Sequence, residues 1–185
     1  MRLFHFSDDP GIECFVPRPV LVRSARPPGR DWLNGPLVWA IDETIQPLYF
    51  FPRDCPRILL WETADTTARD REHWFGPSGA RMVAHVELAW WARLKRETLY
   101  RYELPTESFE DLEDAGMWVS RQAVTPLTVE TLTDLPAMLA AHGVALRLME
   151  SLVPLKNVWS SSLHASGVRL RHAQGWAATP DAPTR

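Results

Sequence analysis

His5 is the first side chain in the sequence that suits binding or acid–base chemistry, and it lies in the apolar run of residues 3–6. Ser7 and two aspartates follow in the sequence. A hydrogen bond from a polar neighbour of this kind can fix which nitrogen of the imidazole carries the proton. An imidazole in this setting can hydrogen-bond a ligand. The commoner alternative is a core histidine bonded to backbone. We take His5 and Ser7 as candidate ligand-binding residues.

A second candidate site lies in residues 49–57, with the sequence Tyr-Phe-Phe-Pro-Arg-Asp-Cys-Pro-Arg. Tyr49 begins an aromatic run, and Arg53 and Arg57 lie among prolines that stiffen the backbone. A guanidinium forms two parallel hydrogen bonds to a phosphate or a carboxylate. The block therefore predicts contact with an anionic group. The alternative, an ion pair with a nearby carboxylate that fixes a loop, is equally common.

Catalytic and metal-binding patterns are weak. Cys55 could be a nucleophile if the flanking arginines stabilised its thiolate, but buried cysteine is commoner and no histidine lies near it in sequence. The spacings HxH, HExxH and CxxC do not occur, so no metal is expected. The patterns G-x-S-x-G, P-loop and G-x-G-x-x-G are also missing from the sequence, so no catalytic residue is assigned.

Strands and turns must position these residues, and the hydrophobic pattern predicts both. The strand around His5 ends at the turn formers of residues 7–11, and residues 37–41 form the next strand. Residues 58–61 are apolar throughout, which favours a strand covered on both faces. Further strands are predicted at residues 81–86, 98–104, 117–119, 123–124 and 144–148, and short helices at residues 66–74, 89–97, 133–142 and from 151.

Strands and short helices mix without a regular βαβ alternation, which favours an α+β fold with a bent, largely antiparallel sheet. At 185 residues one domain is the default. We predict a single α+β domain over residues 1–174 and a flexible C-terminal tail over residues 175–185.

The composition excludes several classes of protein. A net charge of −3 argues against a strongly basic nucleic-acid binder, and 45% apolar residues argue against a disordered chain. No stretch approaches the roughly 18 uncharged apolar residues of a spanning helix, so no membrane partner is expected. Two cysteines without a signal-like N-terminal run predict a cytoplasmic location. The oligomeric state is left open.

Charge is unevenly distributed along the sequence. Residues 101–150 hold three arginines against nine acidic residues, and the run of residues 107–114 is either a partner surface or, more commonly, a solvated face. Four arginines within residues 18–30 lie among prolines and predict an exposed loop. A lid or an anion contact is the alternative for that loop.

Several blocks of the sequence resemble a family of small bacterial proteins of unknown function. The Pro-Arg-Asp-Cys-Pro-Arg segment is the most specific part of this resemblance, which spans roughly residues 1–173 and implies no established activity. The blocks that carry it are residues 3–7, 38–43, 48–57, 118–120 and 162–171.

A weaker similarity is to diverged members of the ADP-ribosyltransferase fold. It rests on a histidine on the first strand, a strand ending in Ala-Ile-Asp and a following aromatic segment. In that fold the histidine contacts the ribose of NAD and a tyrosine lies against the nicotinamide, which would correspond to His5 and Tyr49. NAD is the cofactor that the similarity implies. The late-strand glutamate has no clear counterpart among Glu103, Glu110 and Glu113.

Together these patterns predict a cytoplasmic protein with a pocket for an anionic small ligand, a nucleotide or an NAD-like molecule. The residues expected to line it are His5, Ser7, Tyr49, Arg53 and Arg57. The alternative is a non-catalytic protein-interaction module that uses exposed tryptophans and the acidic surface. The sequence leaves open whether the protein is an enzyme.

Overall fold

The structure is a computed structural model that describes residues 1–177. The strands are β1 (Leu3–Ser7), β2 (Val38–Asp42), β3 (Arg57–Trp61), β4 (Met82–Glu87), β5 (Leu99–Leu104), β6 (Phe109–Asp111), β7 (Met117–Ser120), β8 (Thr128–Leu132), β9 (Val144–Met149) and β10 (His164–Val168). The α-helices are α1 (Ala68–Phe75), α2 (Trp91–Leu94) and α3 (Leu135–Ala141). The 3-10 helices are Asp31–Asn34, Gln46–Tyr49, Leu88–Trp90, Val153–Ser160 and Leu170–His172.

The chain folds into two compact units, each built from two segments. Met1–Tyr49 and Leu99–Leu132 form the six-stranded unit, and Phe50–Thr98 and Thr133–Arg185 form the four-stranded unit. Over the described residues, seven of the eight strand ladders are antiparallel, which confirms the α+β class and the largely antiparallel pairing. This division into units does not test whether residues 1–174 form one domain, so the single domain stays a prediction.

The six-stranded sheet has the order β6-β7-β2-β1-β5-β8 and is antiparallel throughout. The ladder between β1 and β2 covers two pairs, Leu3 with Asp42 and Phe4 with Ile41, so it ends before His5. Side chains alternate between the two faces of a strand, and one face of this sheet packs on a core of its own. That core contains Leu3, Phe15, Val38, Ala40, Tyr102, Leu104, Phe109 and Val124.

The four-stranded sheet has the order β10-β3-β4-β9, in which β4 and β9 are parallel. All six residues of β4 and the first four of β3 are buried, so both faces are covered, which confirms the interpretation of residues 58–61. Burying one large apolar side chain contributes about 1.5–3 kcal/mol. The cluster on the α1 side contains Ile58, Leu60, Trp74, Phe75, Val83, Leu152, Leu155, Val158, Leu163 and Ala173.

Helix α1 forms one wall of that cluster, and its ends follow from the sequence. The Thr67 side chain caps the N-terminus by accepting a hydrogen bond from the Asp70 amide. Gly76, with φ of 62°, ends the helix, because glycine adopts a left-handed φ without a steric penalty. The Asp70 carboxylate accepts hydrogen bonds from the backbone N and Oγ of Ser162, both at 2.7 Å. The cap and this tie fix α1 against the sheet.

Some elements differ from the sequence prediction. The expected strand at residues 123–124 is an isolated bridge between Val124 and Phe15, and the helix expected from residue 151 is a 3-10 helix. Within the tail expected from residue 175, Trp176 packs on the four-stranded core. Residues 178–185 of that tail lie outside the described residues. Within the described part, every helix falls short of the length and hydropathy needed to cross a bilayer.

Candidate functional site

The five residues predicted to bind a ligand are divided between the two units. His5, Ser7 and Tyr49 belong to the six-stranded unit, and Arg53 and Arg57 belong to the four-stranded unit.

His5 and Ser7 stabilise the end of β1. The His5 Nδ1 atom lies 2.8 Å from the Trp39 carbonyl oxygen, and its ring centroid lies 4.6 Å from that of Phe15. The ladder between β1 and β2 ends before His5. The imidazole therefore takes the place of a backbone donor and hydrogen-bonds the Trp39 carbonyl. Ser7 is buried, and its Oγ accepts a hydrogen bond from the Asp9 amide at 3.1 Å. These contacts fit the core-histidine alternative.

Tyr49 lies against the other face of β1. Its ring stacks on Phe6, with centroids 6.1 Å apart and planes 12° apart, and its hydroxyl donates to Met117 Sδ at 3.6 Å. Adjacent residues of a strand point to opposite faces, so Phe6 and His5 lie on opposite sides of β1. The structure does not bring His5 and Tyr49 together.

The two arginines of the 49–57 block differ in burial. Arg53 is exposed, whereas Arg57 is 2% exposed and donates from Nη1 to the Cys55 carbonyl at 3.0 Å. The Arg57 guanidinium also lies 5.1 Å from the Phe51 ring centroid. Burial raises the pKa of Cys55 to about 12, although Arg57 acts in the opposite direction. The Cys55 thiol therefore stays protonated at neutral pH, which removes the basis for a thiolate nucleophile.

A groove of about 510 Å³ opens beside α1 in the four-stranded unit. None of its lining residues is acidic, and three of them carry basic nitrogen groups that can bind a ligand. We call it the α1 groove, and it is lined by His73, Trp74, His85, Arg147, Leu148, Met149 and Leu155.

Arg147 on β9 is the cationic group of the α1 groove, and two hydrogen bonds to α1 hold its guanidinium in place. Its Nη1 donates to the Trp74 carbonyl at 2.6 Å, and its Nη2 donates to the Phe75 carbonyl at 2.8 Å. These are among the last carbonyls of α1, where a cation is favourable. The two bonds use two of the five N–H groups of a guanidinium. Among the described residues the other N–H groups of Arg147 form no hydrogen bond, so they can donate to an anion.

His85 on β4 is the buried titratable group of the α1 groove. It is paired in register with Arg147 on one side and with Ile58 on the other, and it is 3% exposed. Burial, and next the Arg147 charge, lower the pKa of His85 to about 4 against a smaller, opposite effect of the Ile58 backbone, so the ring is neutral at pH 7. Its Nδ1 atom is buried and has no hydrogen-bond partner among the described residues. A nitrogen left in this state costs about 1–3 kcal/mol.

His73 and the apolar side chains complete the α1 groove. His73 is exposed on α1, and its ring meets that of Trp74 edge-on, with centroids 4.9 Å apart. Trp74 and Leu155 are buried in the cluster behind the groove. The groove thus combines a fixed cation, a neutral buried imidazole and an exposed imidazole beside an apolar wall.

Two other buried nitrogens lack a partner among the described residues, and both lie in the six-stranded unit. They are Arg26 Nε and Trp39 Nε1, and the Arg26 guanidinium carbon lies 5.6 Å from the Trp39 ring centroid. The α1 groove adds an open volume and a fixed cation to its own unpartnered nitrogen. We therefore take it as the candidate site.

Comparison with known proteins gives a family but no activity. The model of a family of unknown function, DUF6886, matches residues 4–173. The chain belongs to this family. No curated protein and no solved structure matched it. The match confirms the resemblance to a family of unknown function, whereas a bacterial origin and the similarity to the ADP-ribosyltransferase fold stay predictions. The function has to be argued from the site.

Sequence reasoning missed the α1 groove for a definable reason. His85 interrupts the apolar run Met-Val-Ala-His-Val, and Arg147 interrupts Val-Ala-Leu-Arg-Leu-Met. A polar residue inside each of two apolar strands was a usable signal. Their pairing was not visible, because β4 and β9 are far apart in sequence. Among residues 1–177, no group of three or more His, Cys, Asp or Glu could hold a metal ion.

Proposed function

We propose that this protein binds a small anionic ligand in the α1 groove, and that a nucleoside phosphate is the ligand class that fits best. The observation that carries the proposal is the pairing of a fixed Arg147 guanidinium with the unpartnered Nδ1 of His85 in one groove.

Arg147 supports the anionic part of the ligand. Its contacts to α1 fix the guanidinium, so little further ordering is needed when an anion binds. A hydrogen bond between a charged donor and a charged acceptor is roughly twice as strong as a neutral one. The groove lining contains no carboxylate that would repel the ligand.

His85 and the apolar wall support the rest of the ligand. A hydroxyl can both donate and accept, so it can pair with the His85 Nδ1 in either neutral tautomer. The Trp74 ring and Leu155 offer an apolar wall, and the exposed His73 ring can stack on a flat base. A nucleoside phosphate combines a phosphate, sugar hydroxyls and a flat base in one molecule.

The finer activity implied by the ADP-ribosyltransferase similarity, transfer at a ribose carbon of NAD, stays a prediction. His5 and Tyr49, the residues it would use, are not among those that line the α1 groove. NAD nevertheless carries phosphates, sugar hydroxyls and flat rings, so it belongs in the set of ligands to be tested.

Calorimetry and thermal unfolding with AMP, ADP, NAD and uncharged adenosine test the proposal. The wild-type protein should be stabilised by a phosphate-bearing ligand, by about 2.7 kcal/mol at a hundredfold excess over Kd, and hardly by adenosine. Arg147→Gln should weaken binding about 10- to 100-fold, because a hydrogen bond to a charged group contributes about 1.5–3 kcal/mol. Arg171→Gln removes an exposed arginine that does not line the groove and serves as the matched control.

Two further comparisons separate a binding role from support of α1. His85→Gln should weaken AMP more than its 2′,3′-dideoxy analogue, because only AMP carries the sugar hydroxyls. His73→Ala should weaken AMP and leave the folded state intact, since His73 is exposed. Equal binding by the wild type and a folded Arg147→Gln variant, or no binding of any phosphate, would contradict the proposal.

The alternative of a non-catalytic interaction module also stays a prediction. Among the described tryptophans only Trp32 is exposed, with 37% of its surface accessible to solvent. Exposed tryptophans therefore offer little support for an interaction module. The acidic residues of the 107–114 run are largely exposed and are the better support for that alternative.

A further inference from the structure

A basic loop with an apolar tip projects from the six-stranded unit. Leu21 is 96% exposed and Val22 is 57% exposed, and Arg18 and Arg23 flank them. Among the described residues, neither arginine side chain has a hydrogen-bond or ion-pair partner. We call residues 16–30, which contain no acidic side chain, the basic loop.

The structure fixes the base of the basic loop. Arg18 and Leu37 exchange two backbone hydrogen bonds of 3.4 and 3.2 Å. The buried Asn34 side chain accepts from the Ser24 amide at 3.2 Å and donates to the Ser24 carbonyl at 3.1 Å. Leu21 and Val22 thus stay in solvent while the loop beneath them is tied down, which is an arrangement typical of a contact surface.

An acidic hairpin of opposite charge belongs to the same unit. It consists of residues 107–120 and contains β6 and β7, which pair antiparallel. Glu110 pairs with Arg121 at 3.4 Å. The other acidic side chains are exposed and form no ion pair among the described residues. They are Glu107, Asp111, Glu113 and Asp114.

The basic loop and the acidic hairpin are neighbours. Arg30 Nη1 donates to the Leu112 carbonyl at 3.0 Å, and the Arg121 guanidinium carbon lies 4.5 Å from the Trp32 ring centroid. Two adjacent patches of opposite charge are self-complementary about a two-fold axis, because each patch then meets the other patch of the second copy.

We infer that two copies of this chain form a dimer in which the basic loop of each contacts the acidic hairpin of the other. The unpaired Arg18 and Arg23 meet exposed carboxylates, and the apolar tip around Leu21 is removed from water. The contact uses the six-stranded unit alone, so it does not depend on the α1 groove.

Sedimentation equilibrium measures the association of the full chain. The dissociation constant should rise roughly tenfold or more from low to high salt, because the Debye length falls from about 30 Å at 0.01 M to about 3 Å at 1 M. Leu21→Ser should also weaken the dimer about tenfold, as expected for loss of a buried anchor. Leu127→Ser is the matched control, since Leu127 is 62% exposed in the same unit and lies outside both patches.

A charge exchange gives the decisive result. One variant carries Arg18→Glu and Arg23→Glu, and the other carries Glu107→Lys and Asp114→Lys. Each alone should be monomeric, because like charges then face each other. A mixture of the two should form a heterodimer, in which both contacts again join opposite charges, and its recovery also shows that both variants are folded.

Three outcomes overturn the inference. Two of them are a wild type that stays monomeric at its highest soluble concentration and a mixture of the two variants that does not associate. The other is a monomer that binds phosphatidylserine vesicles through Leu21, which would assign the basic loop to a lipid surface instead.

Discussion

His5 in the six-stranded unit and His85 in the four-stranded unit both lie on interior strands of their sheets, yet their ring nitrogens differ in bonding. The His5 Nδ1 atom is 2.8 Å from a backbone carbonyl that the strand ladder leaves available. The His85 Nδ1 atom has no partner among the described residues. A histidine in a strand thus becomes a candidate for ligand binding when its neighbours leave a nitrogen unbonded, and not through its presence alone.

The two units also differ in how they place charge. In the six-stranded unit, Arg2 pairs with Glu103 at the surface, with half of the arginine side chain exposed. In the four-stranded unit, Arg57 and Glu87 are 2% and 3% exposed. Glu87 accepts a hydrogen bond from the Gln174 amide at 2.8 Å. Buried polar groups need specific partners, so we expect the four-stranded unit to tolerate charge substitutions less well.

The largest expected effect tests this difference in charge burial. Arg57→Met should lower the free energy of unfolding by about 3 kcal/mol, because it leaves the buried Cys55 carbonyl without its donor and removes the guanidinium from the Phe51 ring. Arg2→Met, at the surface pair, should cost less than about 1 kcal/mol. Urea denaturation of both variants measures the difference, and equal losses would remove the contrast between the units.

The pH dependence of stability should come in part from His85. The folded pKa of His85 is about 4, and that of an unfolded histidine is about 6.5. As the pH falls from 6.5 towards 4, the unfolded chain binds a proton that the folded chain does not, so stability decreases. At pH 4.5 this loss should be about 2 kcal/mol relative to pH 7.

His85→Gln should abolish that part of the acid destabilisation, and His172→Gln, at an exposed position, should retain it. The free energy of unfolding in urea at pH 7 and pH 4.5, taken for all three proteins, measures the effect. An unchanged pH difference in His85→Gln would show that His85 is not held neutral in the folded protein.

A smaller effect is expected at the other histidine. His5→Phe keeps a ring beside Phe15 but loses the hydrogen bond to the Trp39 carbonyl, which should cost about 1–1.5 kcal/mol. Binding of AMP in the α1 groove should stay at the wild-type level by calorimetry. A loss of AMP binding without a loss of stability would instead give His5 the ligand role predicted from the sequence.

The smallest expected effect concerns the helix beside the α1 groove. Thr67→Ala removes the N-cap of α1 and should lower the free energy of unfolding by about 1 kcal/mol. Thr67→Ser keeps the capping oxygen and should restore most of the stability. Thermal unfolding compares the two variants, and identical melting temperatures would mean that the tie between Asp70 and Ser162 holds the helix by itself.

Much of the fold could be predicted because its signals are local. The apolar runs give β1 to β4, and α1 and α3 follow from capping residues, since Thr67 and Asp134 accept from amides of the first turn. Strand β8 was missed because four of its five residues are exposed. Its sequence Thr-Val-Glu-Thr-Leu becomes a strand through pairing with β5, which its own pattern does not record.

The candidate site was harder to predict because its parts come from distant segments. His85 and Arg147 meet through the parallel pairing of β4 and β9, and no local spacing specifies that register. The 49–57 block was conspicuous by composition, but the structure uses Arg57 inside a core. Composition therefore identified unusual residues, whereas the unbonded His85 nitrogen depends on the packing of the whole unit.

The division of each unit between two chain segments has a consequence for folding during synthesis. Every strand of the six-stranded sheet has left the ribosome once Leu132 has emerged. Strands β9 and β10 of the four-stranded sheet emerge later. Domains generally fold as units as soon as their chain is available. The six-stranded unit can therefore form first, and the α1 groove, which needs Arg147 and Leu155, is assembled last.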